Sequence, residues 1–232
     1  MSHPPEAILF DLDDTICRYR RSAETVLECA FERVGVDPVF DPAAYPERYG
    51  DYLASSSSIG DLHRQCFGDL AVEAGVDREV GIAVAEAFNE ERDQRAVDPL
   101  AGVPDVFDTL EASYRLGLIT NGDPAMQAEK LAALGLTETF EPVVCAGYET
   151  APKPDPEPFE VALEALDITP EKALYVGNSL TSDVAGAKAA GVPSVWVPVD
   201  GRGGETTRVS GPEPTFRVPS LAALESVPVL SM

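Results

Sequence analysis

Ala7-Ile-Leu-Phe-Asp11-Leu-Asp13-Asp14-Thr15 is the stretch on which the fold turns. The apolar run Ala7 to Phe10 is too short for a typical helix and reads as a buried strand. It stops abruptly at Asp11-Leu12-Asp13-Asp14. Carboxylates this close repel and raise one another's pKa values unless a cation or hydrogen bonds compensate. If the chain stays extended, a period of two puts Asp11 and Asp13 on the same side. The carboxyl end of a central strand is also where an open α/β sheet places its site. These residues alone leave two readings, a solvated acidic turn and a paired-carboxylate site.

Working outward, the pattern after Asp98 alternates strand and helix. Strands are expected near 115–120, 143–146, 173–177, 194–198 and 215–218, with helices at about 103–112, 124–134, 156–166 and 182–190. This alternation predicts an α/β fold, a Rossmann-like doubly wound parallel sheet. Residues 22–94 read differently. Val26, Leu27, Ala30, Phe31 and Val34 line one helical face, and Gly35 ends it. Helical stretches follow at about 43–54, 61–74 and 77–94. The expected organisation is a core of residues 1–16 and 98–232 with an inserted α-helical bundle at 17–97. Residues 200–214, rich in Gly, Thr and Pro, read as a surface loop.

Asp11-Leu-Asp13-Asp-Thr after an apolar strand resembles the first motif of the haloacid dehalogenase-like hydrolase superfamily, in its phosphatase form. Three further motifs of that family have counterparts in order: Leu116-Gly-Leu-Ile-Thr120-Asn121-Gly122, Lys153 in Ala-Pro-Lys-Pro-Asp-Pro, and Leu174-Tyr-Val-Gly177-Asn178-Ser-Leu-Thr-Ser-Asp183. The resemblance implies a Mg²⁺-dependent phosphatase with a helical cap between the first and second motifs. It makes Asp11 the nucleophile that forms an aspartyl-phosphate and Asp13 the general acid and base. Asp11, the Asp13 carbonyl, Asn178 and Asp183 are then the metal set, and their oxygens suit a hard cation. Asp14 is expected to order the turn instead of catalysing.

Thr120 with Asn121 and Gly122 offers a hydroxyl and backbone N–H groups ahead of a helix N-terminus, a setting that favours phosphate oxygens. Lys153 stands among Pro152, Pro154, Pro156 and Pro158, which stiffen the segment from which its ammonium reaches the nucleophile and the transferring phosphoryl group. One departure stands out. The family's usual Asp after Gly177 is Asn178 here, which removes a charge but keeps an oxygen ligand. The metal-free dehalogenase branch also carries Asn there, but it lacks the second carboxylate that Asp13 supplies. A phosphomutase, a 2-haloacid dehalogenase and a catalytically idle metabolite- or protein-binding relative are the alternatives.

Composition narrows the partners. The 232 residues hold 40 acidic against 17 basic side chains, a net charge of −23. That argues against nucleic acid, whose phosphates call for clustered Lys and Arg. Only four of the basic residues are Lys. This imbalance is expected of a salt-accumulating halophile, where strong salt screens the self-repulsion. Cys17, Cys29, Cys66 and Cys145 lack Cys-x-x-Cys spacing, which suits a reducing compartment without a disulfide framework or zinc site. The N-terminal residues do not read as a signal peptide, and no apolar stretch is long enough to span a membrane. The expected setting is cytoplasmic and the expected partner a small phosphorylated metabolite. The Arg18-Tyr-Arg-Arg21 cluster, and His63 and Arg64 in the bundle, read as either structural or anion-facing.

Overall fold

The computed structural model describes residues 4–199 and 210–230. By internal contacts the chain divides into two compact units, Met1–Arg18 with Val97–Met232, and Tyr19–Ala96.

The first unit is built on a parallel sheet of six strands. In chain order these are β1 (Ala7–Phe10), β4 (Arg115–Thr120), β5 (Val143–Cys145), β6 (Ala173–Gly177), β7 (Ser194–Trp196) and β8 (Phe216–Arg217), arranged β5-β4-β1-β6-β7-β8. A short two-stranded ribbon, β2 (Cys17–Tyr19) with β3 (Val97–Pro99), was not anticipated from the sequence. All four residues of β1 are fully buried, which explains their unbroken apolar run: a central parallel strand is covered on both faces. On one face Leu9, Ile119, Val144 and Tyr175 pack with Phe159 and Leu163. Edge-to-face contacts join Phe10 to Phe107 at 5.1 Å and to Phe140 at 6.2 Å, a geometry favoured by the ring quadrupoles.

The helices of this unit are α5 (Val103–Glu111), α6 (Pro124–Leu134), α7 (Glu157–Leu166) and α8 (Ala185–Ala189). Asp123 starts α6 by accepting from the N–H groups of Ala125 and Met126, with Pro124 in the first turn. The helix expected at 182–190 differs: a five-residue π-helical turn, Leu180–Val184, precedes the short α8. Wider turns of this kind often occur at functional sites. Strand β7 also stops earlier than expected, at Trp196, shortly before Pro198, which has no N–H for a ladder. Of the loop expected at 200–214, residues 200–209 lie outside the described residues.

Register sets what stands at the carboxyl edge. Phe10 is level with Leu118 on β4 and Val176 on β6. Phe10, Thr120 and Gly177 therefore end three neighbouring strands, with Asp11 one residue past the first. The chain runs from β1 out to one side of the sheet and later returns to the other, so this edge is a topological switch point, where open α/β sheets bind ligands.

The second unit is helical: α1 (Ala23–Val34), α2 (Ala44–Tyr52), α3 (Ile59–Glu73) and α4 (Arg78–Glu91). Ser22, Ser58 and Asp77 cap α1, α3 and α4 through their side-chain oxygens. The segment expected at 43–54 ends in a 3₁₀ turn, Leu53–Ser55. Rings fill the interior, with Tyr45, Phe67 and Phe88 in mutual contact and Phe31 on Phe40.

Candidate active site

Asp11 sits one residue beyond β1, where its N–H still bonds the Val176 carbonyl at 2.9 Å. The strand ladder thus carries one residue past the strand and fixes the Asp11 backbone. Its carboxylate is buried. Oδ1 accepts from Lys153 Nζ at 2.9 Å and Oδ2 from the Thr15 hydroxyl at 3.1 Å. Three residues on the chain turns: Asp14 adopts φ 58°, a left-handed conformation that Asp tolerates better than most. Asp14 is exposed, in keeping with a turn-forming role.

Lys153 joins the strand ends. Its ammonium donates to Asp11 Oδ1, to the Ile119 carbonyl and Tyr175 hydroxyl at 2.8 Å each, and lies 2.7 Å from Asp183 Oδ1. The side chain is 2% exposed. A charge this dry is tolerable only when its hydrogens are satisfied. Burial works against the Lys153 charge, yet Asp11 and Asp183 outweigh it and hold its pKa above the usual lysine value. Burial pushes the Asp11 carboxyl the other way, up to about 7, against the lowering pull of Lys153 and with Asp183 adding to the rise. Burial, then Asp183 and Asp11, also raise the Tyr175 hydroxyl well above its usual value, so it serves as a neutral donor.

Asp183 was expected among the metal ligands, but both its oxygens are taken by protein donors. Oδ1 faces Lys153 and Tyr175, and Oδ2 accepts from the Ser179 N–H at 2.9 Å. It therefore acts as the counter-charge of Lys153 and the clasp of the loop after β6. Gly177 makes room for it, because a Cβ there would stand 2.6 Å from the Asp183 carboxyl. Asn178 meets Asp11 through Thr15. Its Oδ1 accepts from Thr15 Oγ1 at 3.3 Å, the same hydroxyl that reaches Asp11, while its carbonyl accepts from the Trp196 indole at 2.7 Å.

The Asn121 side chain also has a different use from the one expected. It clamps the Lys153 backbone in both directions, with Oδ1 accepting from the Lys153 N–H at 2.8 Å and Nδ2 donating to its carbonyl at 3.0 Å. Thr120 is buried at the end of β4, and its Oγ1 accepts from Gln127 Nε2 at 2.7 Å.

Asp13 belongs to a second cluster. Its side chain is 41% exposed, and the ammonium of Lys130 lies 2.6 Å from Oδ1 and 2.9 Å from Oδ2. Gln127 Nε2 donates to Oδ2 at 2.9 Å. The two carboxylates of the first motif thus have different cations: Asp11 has Lys153 and Asp13 has Lys130.

Sequence reading did not single out Thr15, Gln127, Lys130 or Tyr175. Gln127 and Lys130 are three apart on α6 and share a face, and Lys130 is one of only four lysines; that spacing was the available signal. Among the described residues, no group of three or more His, Cys, Asp or Glu side chains is arranged to hold a metal ion.

With this geometry in view, the comparisons are consistent. The family described as haloacid dehalogenase-like hydrolase matches residues 5–191. The chain is 32% identical over 218 residues to a phosphoserine phosphatase of Thermus thermophilus, covering 82% of this chain and 87% of that protein. It is also 32% identical over 201 residues to a glyceraldehyde 3-phosphate phosphatase of Pyrococcus furiosus, covering 82% and 80%. Among solved structures, the putative hydrolase YfnB of Bacillus subtilis, bound to magnesium, superposes with a TM-score of 0.75 at 22% identity, covering 97% of this chain and 98% of that one.

Proposed function

The chain belongs to the haloacid dehalogenase-like hydrolases, and we propose that it is a Mg²⁺-dependent phosphatase of small phosphate monoesters. The observation that carries this reading is the contrast between its two first-motif carboxylates. Asp11 is buried against an ammonium at the switch point of the sheet, while Asp13 is 41% exposed beside it in sequence.

The chemistry follows. Asp11 attacks phosphorus in line, the ester P–O bond breaks, and the phosphoryl group moves to the carboxylate. Asp13, after taking up a proton from solvent on its open side, gives that proton to the departing oxygen. Asp13 then takes a proton from water, which attacks phosphorus and releases phosphate and the free Asp11 carboxylate. Lys153 and the Thr120 hydroxyl, with the backbone N–H groups of Asn121 and Gly122, supply positive ends to the phosphoryl oxygens.

The residues present fit Mg²⁺. One hydroxyl, Thr15 Oγ1, touches both Asp11 Oδ2 and Asn178 Oδ1, so two hard oxygen donors line the same side of the strand ends. Asp11, the Asp13 carbonyl and Asn178 would hold the ion, with Asp183 behind them through Lys153 and Ser179. When bound, the ion adds positive charge against the phosphoryl oxygens.

The unit Tyr19–Ala96 is, in this reading, the family's helical cap, the part in which substrate choice resides. A cytoplasmic, salt-rich setting belongs to the same reading. It is supported by 40 acidic side chains against four lysines and by free cysteines. Among the described residues no helix is long and apolar enough to cross a membrane.

Phosphate release from an aryl phosphate with and without Mg²⁺, beside a 2-haloacid control, tests the proposal. Mg²⁺-dependent phosphate release is the expected result. Halide release alone would replace the reading with a dehalogenase, and neither activity would replace it with a binding role. Phosphoryl return to a sugar in place of water would mark a phosphomutase.

A further inference from the structure

We propose that Gln127 and Lys130 of α6 are positioning residues that hold Asp13 and Thr120 in the orientations the reaction needs. The inference rests on the roles given above to Asp13 and Thr120.

The geometry is specific. Gln127 has two N–H hydrogens on Nε2, and they bridge Thr120 Oγ1 at 2.7 Å and Asp13 Oδ2 at 2.9 Å. The other end of the same amide, Oε1, is buried without a hydrogen-bond partner among the described residues. Turning the amide over would set its oxygen against the Asp13 carboxylate, so the carboxylate fixes which end faces it. Lys130, 2% exposed, fixes the carboxylate by approaching both of its oxygens. The order of control is therefore Lys130 to Asp13, Asp13 to Gln127, and Gln127 to Thr120.

The last step bears on function. A hydroxyl that accepts from Gln127 keeps its own hydrogen for another acceptor. In the loop after β4 that acceptor is a phosphoryl oxygen of the substrate. Gly122 belongs to the same device. A Cβ at this position would stand 2.1 Å from Gln127 Nε2, so only glycine lets the amide pass the loop. Asp13 is gripped from the α6 side, yet 41% of its side chain stays open for the departing oxygen.

The test uses the full chain and a series of aryl phosphates whose leaving groups span a wide range of acidity. Rates are taken by rapid quench in the first turnover, with Mg²⁺, for wild type, Lys130→Met, Lys130→Arg and Gln127→Met. Wild-type phosphate release decides the phosphatase reading by itself, before any variant is compared.

Lys130→Met and Gln127→Met are expected to lose about 10-fold to 100-fold on poor leaving groups, the scale of a misplaced catalytic group. They should lose much less on the best ones, which need little proton transfer, so that Lys130→Met falls under about 3-fold and Gln127→Met keeps only the uniform loss that passes through Thr120. KM should move less than kcat, and Lys130→Arg should recover part of the loss. A purely structural role would lower every substrate alike. Equal losses across the series, or none, would overturn the proposal. Should Lys130→Met fail to fold, Gln127→Met decides, because it removes no charge and keeps the side-chain length.

Discussion

In the sheet unit, Lys153 is buried among Asp11, Asp183, Tyr175 and the Ile119 carbonyl, and the cluster is charged. In the helical unit, His63 is just as deeply buried, 3% exposed, and is bonded to the Tyr45 hydroxyl at 2.8 Å on Nε2 and to Asn89 on Nδ1. Burial lowers the His63 pKa to about 4, which leaves it neutral. Each cluster satisfies its polar atoms, but only the first keeps net charge out of water. Charge in a dry site is costly and is kept where chemistry uses it. The neutral cluster has neutral polar partners and rings around it: His63 lies on Phe67 and Phe88 as a core residue. The sheet cluster, by contrast, holds the groups assigned to catalysis.

The sharpest way to break this contrast is Lys153→Met. It leaves Asp11 and Asp183 buried without their shared cation. We expect a loss of about 3–5 kcal/mol in unfolding free energy near pH 8, the usual cost of orphaning a buried charge. The sign with pH is diagnostic. A carboxyl whose folded pKa is raised, as Asp11 already is to about 7, binds more protons folded than unfolded. Losing Lys153 raises the Asp11 pKa further, so the variant's deficit should shrink as pH falls toward 7 and level off below it, where Asp11 is protonated in both folded proteins. Denaturant unfolding at several pH values checks it, and a deficit independent of pH contradicts it.

His63 should behave in the opposite way. Its folded pKa, about 4, is below the ordinary 6.5, so the unfolded chain takes up the proton first. The stability it contributes is full above pH 6.5 and is lost as pH falls toward 4, in all about 3 kcal/mol. Wild type should lose that much more than His63→Gln between pH 7 and pH 4. Parallel stability curves for the two proteins would show that His63 titrates normally.

The smallest effect concerns Asn178. Adding a carboxylate beside the proposed ion, in Asn178→Asp, should strengthen Mg²⁺ binding by on the order of 1 kcal/mol, about fivefold in half-saturating Mg²⁺. Asp183→Asn should change that requirement less and stability more, because Asp183 is spent on Lys153, Tyr175 and the Ser179 N–H. Activity titrated against Mg²⁺ in the three proteins orders them, and an unchanged midpoint for Asn178→Asp would separate Asn178 from the metal.

Much of this architecture was legible because strand β1 and its acidic end form a local pattern. A buried apolar run meeting three carboxylates reads as an acidic turn or as the carboxyl edge of a sheet, and the strand–helix alternation farther along favours the sheet edge. The alternation after Asp98 was legible for the same reason, since helix and strand differ in period. What stayed hidden was pairing across the chain. Asp183 reads as a ligand until Lys153 is seen against it, and 30 residues separate the two. Gln127 and Lys130 look like the solvent side of a helix, because sequence does not say which face of α6 meets Asp13, 114 and 117 residues away. Tyr175 looks like any β-strand aromatic until its hydroxyl meets Lys153. The π-helical turn at Leu180–Val184 replaces helix where Asp183 bonds the Ser179 N–H.

The central claim is that Asp11 attacks phosphorus. Asp13→Asn should slow release of the phosphoenzyme, since it removes the base that activates water. The direct measurement is acid quench of this variant with a good-leaving-group phosphate carrying a phosphorus label, followed by peptide mapping. A label on Asp11, absent from Asp11→Asn, is the result expected. A label on any other residue, or turnover of Asp11→Asn near the wild-type rate, would contradict the account.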